Sequence, residues 1–336
     1  MNARHGFRMA LAAVVLAFCA GAAQAEVAKV RVAMQFGLTY LPVMIMQEDR
    51  LIEKNARAAG LGEVDVQWHK FAGGNVMNDA LLAGDLDFAA TGPPSFLILW
   101  DKASRSLDVK GVASYGATPL YLITRNPAVR TIRDLSDKDR IALPAVKSSV
   151  QAIVLQMAAE KEWGAGHHGR LDGFTVSRSH ADAYIAMMSA MSDINGHFAA
   201  PPYAQQELAQ PGFRVVLKAN EVFGGPFSNG IIYTTSRFHN DNPRIVGAFV
   251  AALRESIDSM KKDPRVAAQK YLKMTGDKMT VDEVLKIIAD PEADWTIVPQ
   301  STYTYASFMR RIGSVKREAK SWKDLFFPEA HDLPGS

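Results

Sequence analysis

Strand-like and helix-like stretches alternate along this chain, and the alternation is repeated. In the first copy Val30, Val32 and Met34 mark a strand by their period-two spacing. Pro42 opens a helical stretch through Lys54, and Val64, Val66 and Trp68 mark a second strand. A helix follows over residues 76–83, Gly84 is placed to cap it, and residues 86–90 read as a short buried strand. In the second copy residues 140–143 form a strand. Ser149 then starts a long helix with Ile153, Val154 and Met157 at helical spacing. A strand (174–177), a helix (182–191) and a strand (194–199) complete that copy. Phe88-Ala89-Ala90-Thr91-Gly92-Pro93-Pro94 near the end of the first is echoed by Phe198-Ala199-Ala200-Pro201-Pro202 near the end of the second. Such alternation belongs to α/β folds, because parallel strands need a long crossover, usually helical. The pattern predicts two similar βαβαβ lobes.

The last third is mainly helical. Asn242 and Pro243 make an N-cap and first-turn pair, followed by a stripe of Val246, Phe249, Val250, Leu253, Ile257 and Met260 that reads as a packed helix face. Asp263 and Pro264 start another helix, and Thr280 with Glu283 forms a capping box for the next. No Gly/Ser linker separates independent domains.

The N-terminus reads as a cleaved secretory signal over residues 1–25. Arg4 and Arg8 supply its positive region, residues 9–22 its apolar stretch, and Ala23-Gln24-Ala25 its cleavage site, leaving Glu26 first in the mature chain. Cys19 is the only cysteine and departs with the signal. Phe18 before it is too bulky for a lipoprotein cleavage site. The mature chain then has no thiol nucleophile, no thiolate ligand and no disulfide, so core burial alone must hold it. Lys and Arg total 38 against 35 Asp and Glu, and removing Arg4 and Arg8 leaves 36 against 35. That balance argues against a nucleic-acid partner.

No catalytic motif is present: no G-x-S-x-G elbow, no P-loop, no G-x-G-x-x-G after a strand. His167 and His168 lie in a Gly-rich stretch that reads as a solvated loop, so no metal and no cofactor is expected. What the chain does carry is uncharged loop chemistry at the C-terminal ends of strands, where open α/β sheets bind ligands. Gln35, Phe36 and Tyr40 follow the first strand, Gly74 and Asn75 the second, and Thr91, Gly92 and Pro93 the third. Ser148, Ser149 and Val150 open the long helix of the second copy, and His180 opens a helix after a strand. Free N–H groups and the helix dipole make such N-termini attractive to anions. Each cluster taken alone is also an ordinary turn between strand and helix.

Over residues 30–328 the chain resembles the periplasmic solute-binding proteins of ABC importers for nitrate, sulfonate and taurine, with their relatives that bind thiamin-pyrimidine precursors. The resemblance is carried by three stretches. One is Asn78-Asp79-Ala80-Leu81-Leu82-Ala83-Gly84-Asp85-Leu86-Asp87-Phe88 with Thr91-Gly92-Pro93-Pro94. Another is Ile141-Ala142-Leu143-Pro144 with Ser148-Ser149 and the helix ending at Gly164. The third is Ser321-Trp322-Lys323-Asp324-Leu325-Phe326-Phe327-Pro328. It implies a type II periplasmic-binding-protein fold: two α/β lobes joined by two crossovers, near residues 115–119 and 224–227, with a ligand cleft between them. Lobe one would comprise residues 26–117 and 226–336, and lobe two residues 118–225. Residues 36–40, 91–95 and 148–150 would line the cleft, with Tyr115, Tyr203 and Phe227 as further walls placed by their position near crossovers and strand ends.

The implied function is capture of a small organic anion such as a sulfonate or carboxylate. The implied partners are an ABC permease and its ATPase, and the protein is expected to be periplasmic and monomeric. No basic residue in these loops clearly marks a strongly charged ligand, the direction of Lys147 being open, which counts against nitrate. The aromatic rings suit a ligand with an organic body, leaving a neutral heteroaromatic precursor as an alternative. An enzyme on this fold is the other alternative, opposed by the missing cysteines, and a sensory module needs the same cleft.

Overall fold

The computed structural model describes residues 26–104 and 107–336. The expected signal over residues 1–25, with Cys19, lies outside the described residues. From the N-terminus, β1 (Lys29–Met34) leads through a 3-10 turn (Leu38–Tyr40) into α1 (Leu41–Glu48) and α2 (Leu51–Ala58). Then come β2 (Asp65–Lys70), α3 (Gly74–Leu82), β3 (Phe88–Thr91), α4 (Pro93–Lys102) and β4 (Val109–Gly116). The chain passes to the other lobe for β5 (Tyr121–Thr124), β6 (Ile141–Leu143), α5 (Val150–Trp163), β7 (Thr175–Ser177), α6 (His180–Met188) and β8 (Gly196–Ala199). That lobe ends with α7 (Tyr203–Leu208), β9 (Arg214–Lys218) and α8 (Ala219–Phe223). Back in the first lobe lie β10 (Gly230–Thr235), α9 (Ser236–Asp241), α10 (Pro243–Lys262), α11 (Pro264–Thr275), α12 (Val281–Ile288) and α13 (Thr302–Arg311).

Two five-stranded sheets share one plan. Their orders are β2-β1-β3-β10-β4 and β7-β6-β8-β5-β9. In each, four strands run in one direction and the fourth in order is antiparallel to both its neighbours. That antiparallel strand, β5 or β10, is the first reached after the chain crosses from the other lobe. The echoed sequences fall on β3 and β8, equivalent central strands of the two sheets.

Strand β1 explains the register. Val30, Val32 and Met34 enter a core shared with α1, α2 and α10, while Ala33 faces the opposite core, so the period-two pattern sorts side chains between two buried faces. Phe249 of α10 stacks on Phe88 of β3 at 4.2 Å between centroids. Two polar residues of 78–88, Asn78 and Asp87, tie elements together. The Asp87 carboxylate takes paired hydrogen bonds from the Arg31 guanidinium at 3.0 and 2.7 Å, joining the start of β3 to β1. Asn78 donates to the Ser95 carbonyl at 2.8 Å and accepts from the Tyr233 hydroxyl at 2.5 Å, joining α3, α4 and β10.

Some boundaries differ from the pattern. The helical stretch expected from Pro42 through Lys54 is two helices, because Arg50 adopts the left-handed region at φ 51 between them. The helix expected over 182–191 runs instead from His180 to Met188, since Ser179 caps it by accepting from the Asp182 N–H. No helix among the described residues is long and apolar enough to cross a membrane.

Candidate functional site

The strand ends and helix starts of both lobes meet at a narrow cleft, about 450 Å³ with its open mouth included and with only about 40 Å³ free to water-sized groups. Lobe one contributes Gln35, Phe36, Thr39, Tyr40, Gly74, Thr91, Gly92 and Ser95. Lobe two contributes Pro144, Ser149, Val150, Gln151, His180 and Ala200, and the two crossovers contribute Leu120 and Asn229. The lobes are closed on one another. The Leu38 N–H donates to the Pro201 carbonyl at 2.8 Å, and the Ser95 hydroxyl donates to the Ser148 carbonyl at 2.9 Å. At the hinge Asn229 donates to the Thr118 carbonyl at 2.7 Å, and the hydroxyls of Thr118 and Thr39 share a 2.6 Å hydrogen bond.

Backbone proximity shapes the walls. A Cβ at Gly92 would stand 2.3 Å from Cγ2 of Val150, across the cleft, so only a hydrogen at this position lets the lobes approach this closely. A Cβ at Gly74 would strike the hydroxyls of Ser95 and Thr91 at 2.4 and 2.5 Å. Thr91 is itself fixed by a 2.8 Å hydrogen bond from the Gln35 amide.

The N-terminus of α5 faces the cleft. Ser149 is its N-cap, its hydroxyl accepting from the Ala152 N–H at 3.2 Å while its carbonyl accepts from Ile153 at 3.1 Å. That leaves the N–H groups of Val150 and Gln151, which a helix's first turn cannot satisfy internally, for the cleft. No Lys, Arg, Asp or Glu is in the wall. Lys147 is exposed, with its ammonium 3.9 Å from Asp172.

Two lining groups can titrate, and burial holds both neutral. It raises the Tyr40 hydroxyl well above its ordinary value, against opposing contacts with Tyr115, Gln35 and Thr91. It lowers His180 well below 6.5, with His197 as the second cause. Behind His180 a chain of hydrogen bonds leads into lobe two. His180 Nδ1 lies 2.9 Å from His197 Nε2, and His197 Nδ1 lies 2.6 Å from Glu207 Oε1.

Of the residues singled out in sequence, Gln35, Phe36, Tyr40, Gly74, Thr91, Gly92, Ser149, Val150 and His180 come together at this cleft. Six do not. Tyr115 is fully buried behind Tyr40, its ring 5.5 Å away, and Tyr203 backs His180 at 6.1 Å. Phe227 is buried against Phe223 at 4.6 Å, beside a separate groove. Asn75 is exposed and absent from the cleft wall, its Oδ1 lying beside Gly73, Pro93 is buried in the first turn of α4, and Ser148 turns its hydroxyl to the Val146 carbonyl at 3.4 Å. Gln151, Asn229 and Leu120 line the cleft without having been singled out, as do Pro144 and Ala200, which stand in stretches noted for resemblance and repetition and not as cleft residues. Gln151 sits one residue beyond a cluster that was recognised, while Asn229 carries no local signal and is brought in by the second crossover. His167 and His168 lie at a 3-10 turn (His168–Phe174), and no group of metal-ligating side chains occurs among the described residues.

Solved structures share this architecture. The alkanesulfonate-binding protein SsuA from Xanthomonas axonopodis pv. citri bound to MOPS aligns with a TM-score of 0.70 at 18% identity, over 87% of this chain and 96% of that one. The periplasmic aliphatic sulphonate-binding protein SsuA from Escherichia coli aligns with a TM-score of 0.63 at 17% identity, over 88% and 98%. The periplasmic nitrate-binding protein NrtA from Synechocystis PCC 6803 aligns with a TM-score of 0.59 at 14% identity, over 78% and 70%. At these identities the likeness establishes the fold. No curated protein matches the sequence. The family model described as NMT1/THI5 like matches residues 61–267, more than half of the chain, and the protein belongs to that family.

Proposed function

We propose that the cleft captures a small organic anion, a sulfonate or carboxylate, and that the protein is the extracytoplasmic binding component of an ABC importer, delivering its ligand to a membrane permease driven by an ATPase. The observation that carries this reading is the α5 N-terminus, with free N–H groups at Val150 and Gln151, facing Gln35, Thr91 and Tyr40 across a closing cleft. Aligned N–H donors hold an anion without a basic side chain. Phe36, Tyr40 and Leu120 match an organic body, which nitrate lacks. Structural relatives named for sulfonate and nitrate binding support the same reading, as does the signal-like sequence of residues 1–25. Capture is reversible and makes no bond. Ligand contacts to both lobes favour the closed state over the open one. The wholly uncharged wall also favours a second ligand class, a neutral heteroaromatic ring held between Phe36 and Tyr40.

Isothermal titration with ethanesulfonate, benzoate and an aminopyrimidine tests this, followed by analysis of the recovered ligand. Saturable binding of an anion, recovered unchanged, is expected. Binding of the pyrimidine alone transfers the reading to the neutral class, and chemical turnover of any probe contradicts it.

A further inference from the structure

A file of buried polar side chains leads from the cleft into the core of lobe two: Gln151, His180, His197 and Glu207. They come from α5, α6, β8 and α7, so four elements are tied together by one chain of hydrogen bonds. His197 and Glu207 are fully buried, and His180 is 7% exposed at the cleft wall. At the far end Glu207 Oε2 is buried with no hydrogen-bond partner.

We propose that Glu207 is a neutral acid whose O–H donates to His197, fixing both rings in the Nε2–H form, so that His180 presents an N–H to the ligand and selects an acceptor oxygen. The ligand half of this rests on the capture reading above, whereas the positions of the ring protons do not.

Proton counting carries the assignment. Two hydrogen bonds join the three titratable groups. When all three are neutral they hold three protons, two of which occupy those bonds. The third sits at one end, on Glu207 Oε2 or on His180 Nε2. On Oε2 it would be a buried O–H with nothing to donate to. A buried carbonyl oxygen lacking a partner is tolerated better than a buried donor lacking one. The 2.6 Å contact between Glu207 and His197 agrees, being shorter than the usual N–H···O span of about 2.7–3.2 Å and suited to an O–H donor. The proton order is then Glu207 O–H to His197 Nδ1, His197 Nε2–H to His180 Nδ1, and His180 Nε2–H to the cleft.

The neutral state has a physical cause. Burial pushes the Glu207 carboxyl up to about 9 and the His197 ring down to about 3, and lowers His180 as well. An ion pair here would leave one carboxylate oxygen unpaired in the core, where desolvation outweighs attraction. The surroundings add no cation. Tyr203 stacks on His180, its hydroxyl raised to about 12 by burial and by the charges of Asp277 and Asp182. Gln151, whose amide nitrogen stands 3.2 Å from His180 Nε2, can turn its oxygen there when no ligand is present, because an amide offers both a donor and an acceptor. A sulfonate or carboxylate oxygen would accept the His180 N–H in place of the Gln151 oxygen. A ligand presenting only donors at this point would find no lone pair.

Nitrogen-15 NMR of the histidine rings in the unliganded protein tests the assignment, with H180Q identifying the His180 signals. The expected result is both rings protonated at Nε2 and bare at Nδ1 from pH 5 to pH 8. Both rings protonated at Nδ1, or either ring doubly protonated at pH 7, overturns it. E207L, which removes the donor, is expected to keep both rings in the Nε2–H form, because an unpaired N–H at His197 Nδ1 would cost more than an unpaired lone pair, and to shift the His197 Nδ1 signal to that of an acceptor with no hydrogen bond. A folded E207L with the His197 Nδ1 signal unmoved, or with the proton on Nδ1, also overturns the proposal. In the ligand arm H180F, which removes the N–H at the cleft, is expected to weaken ethanesulfonate binding about tenfold, the size of one neutral hydrogen bond. Unchanged affinity in folded H180F contradicts the link to the ligand. If ethanesulfonate does not bind the native protein, the capture reading fails while the ring spectra still decide the proton order.

Discussion

Glu207 is an ionisable residue with no exposure to water, and that makes its protonation part of the folding free energy. Its carboxyl is raised from 4.5 to about 9 in the fold, so between those values the unfolded chain gives up a proton that the folded one keeps. Stability from this group is therefore fully present below pH 4.5 and is lost as pH rises towards 9, by at most about 1.4 kcal/mol per pH unit. The two histidines act in the opposite sense. Their folded values lie below 6.5, so acidification through that value favours the unfolded chain, which takes up protons that the folded one refuses. Urea unfolding should show the contribution of the three groups highest near pH 6.5, and E207Q should flatten the alkaline fall. An alkaline limb identical in E207Q would contradict this account. Two serines at the α5 start separate in the same way. S149A removes a helix cap, costing about 1 kcal/mol by thermal unfolding, and should weaken anion binding too. S148A should change little, because that hydroxyl faces only the Val146 carbonyl.

Among the elements, α10 is joined to the first sheet by an aromatic contact. Phe249 is fully buried and stacks on Phe88, so F249A should cost about 3–5 kcal/mol in chemical denaturation, and a loss under 1 kcal/mol would contradict its place in the core. Elements of this kind were legible in the sequence because buried faces write a period into it: Val30, Val32 and Met34 for β1, and the Val246-to-Met260 stripe for α10. The clusters at strand ends were legible by the same rule, since loops there must mix glycine with small polar residues. What stayed hidden is non-local. Arg50 breaks a helix by adopting a left-handed backbone, which no periodicity records. Tyr115 and Tyr203 resemble cleft residues by position, yet the packing of Tyr40 and His180 in front of them places them in a second layer. His197 and Glu207 are ten residues apart on different elements, and only the fold turns them towards each other.

At the scale of the molecule the two lobes are one architecture built twice, each completed by the strand that enters from the other, with two crossovers between them to bend. Closure rests on close approach at Gly92 and Val150, on Leu38 with Pro201, and on outlying contacts such as Gln206 with Asp277 at 3.1 Å. G92A should leave the lobes folded and hold them apart. Small-angle scattering should then give a larger radius of gyration than the native protein under a saturating anion, and an equal radius would contradict the closing role of Gly92.

The central claim, capture of an organic anion between closing lobes, is tested most directly by thermal shift of the native protein and G92A with ethanesulfonate, benzenesulfonate, benzoate, nitrate and an aminopyrimidine, without added metal. Ligand at a hundred times its dissociation constant stabilises a fold by about 2.7 kcal/mol. The account predicts a raised midpoint for the native protein with a sulfonate or carboxylate, a weaker response to nitrate, and a reduced shift in G92A. No shift with any anion, or an equal shift in G92A, would contradict it.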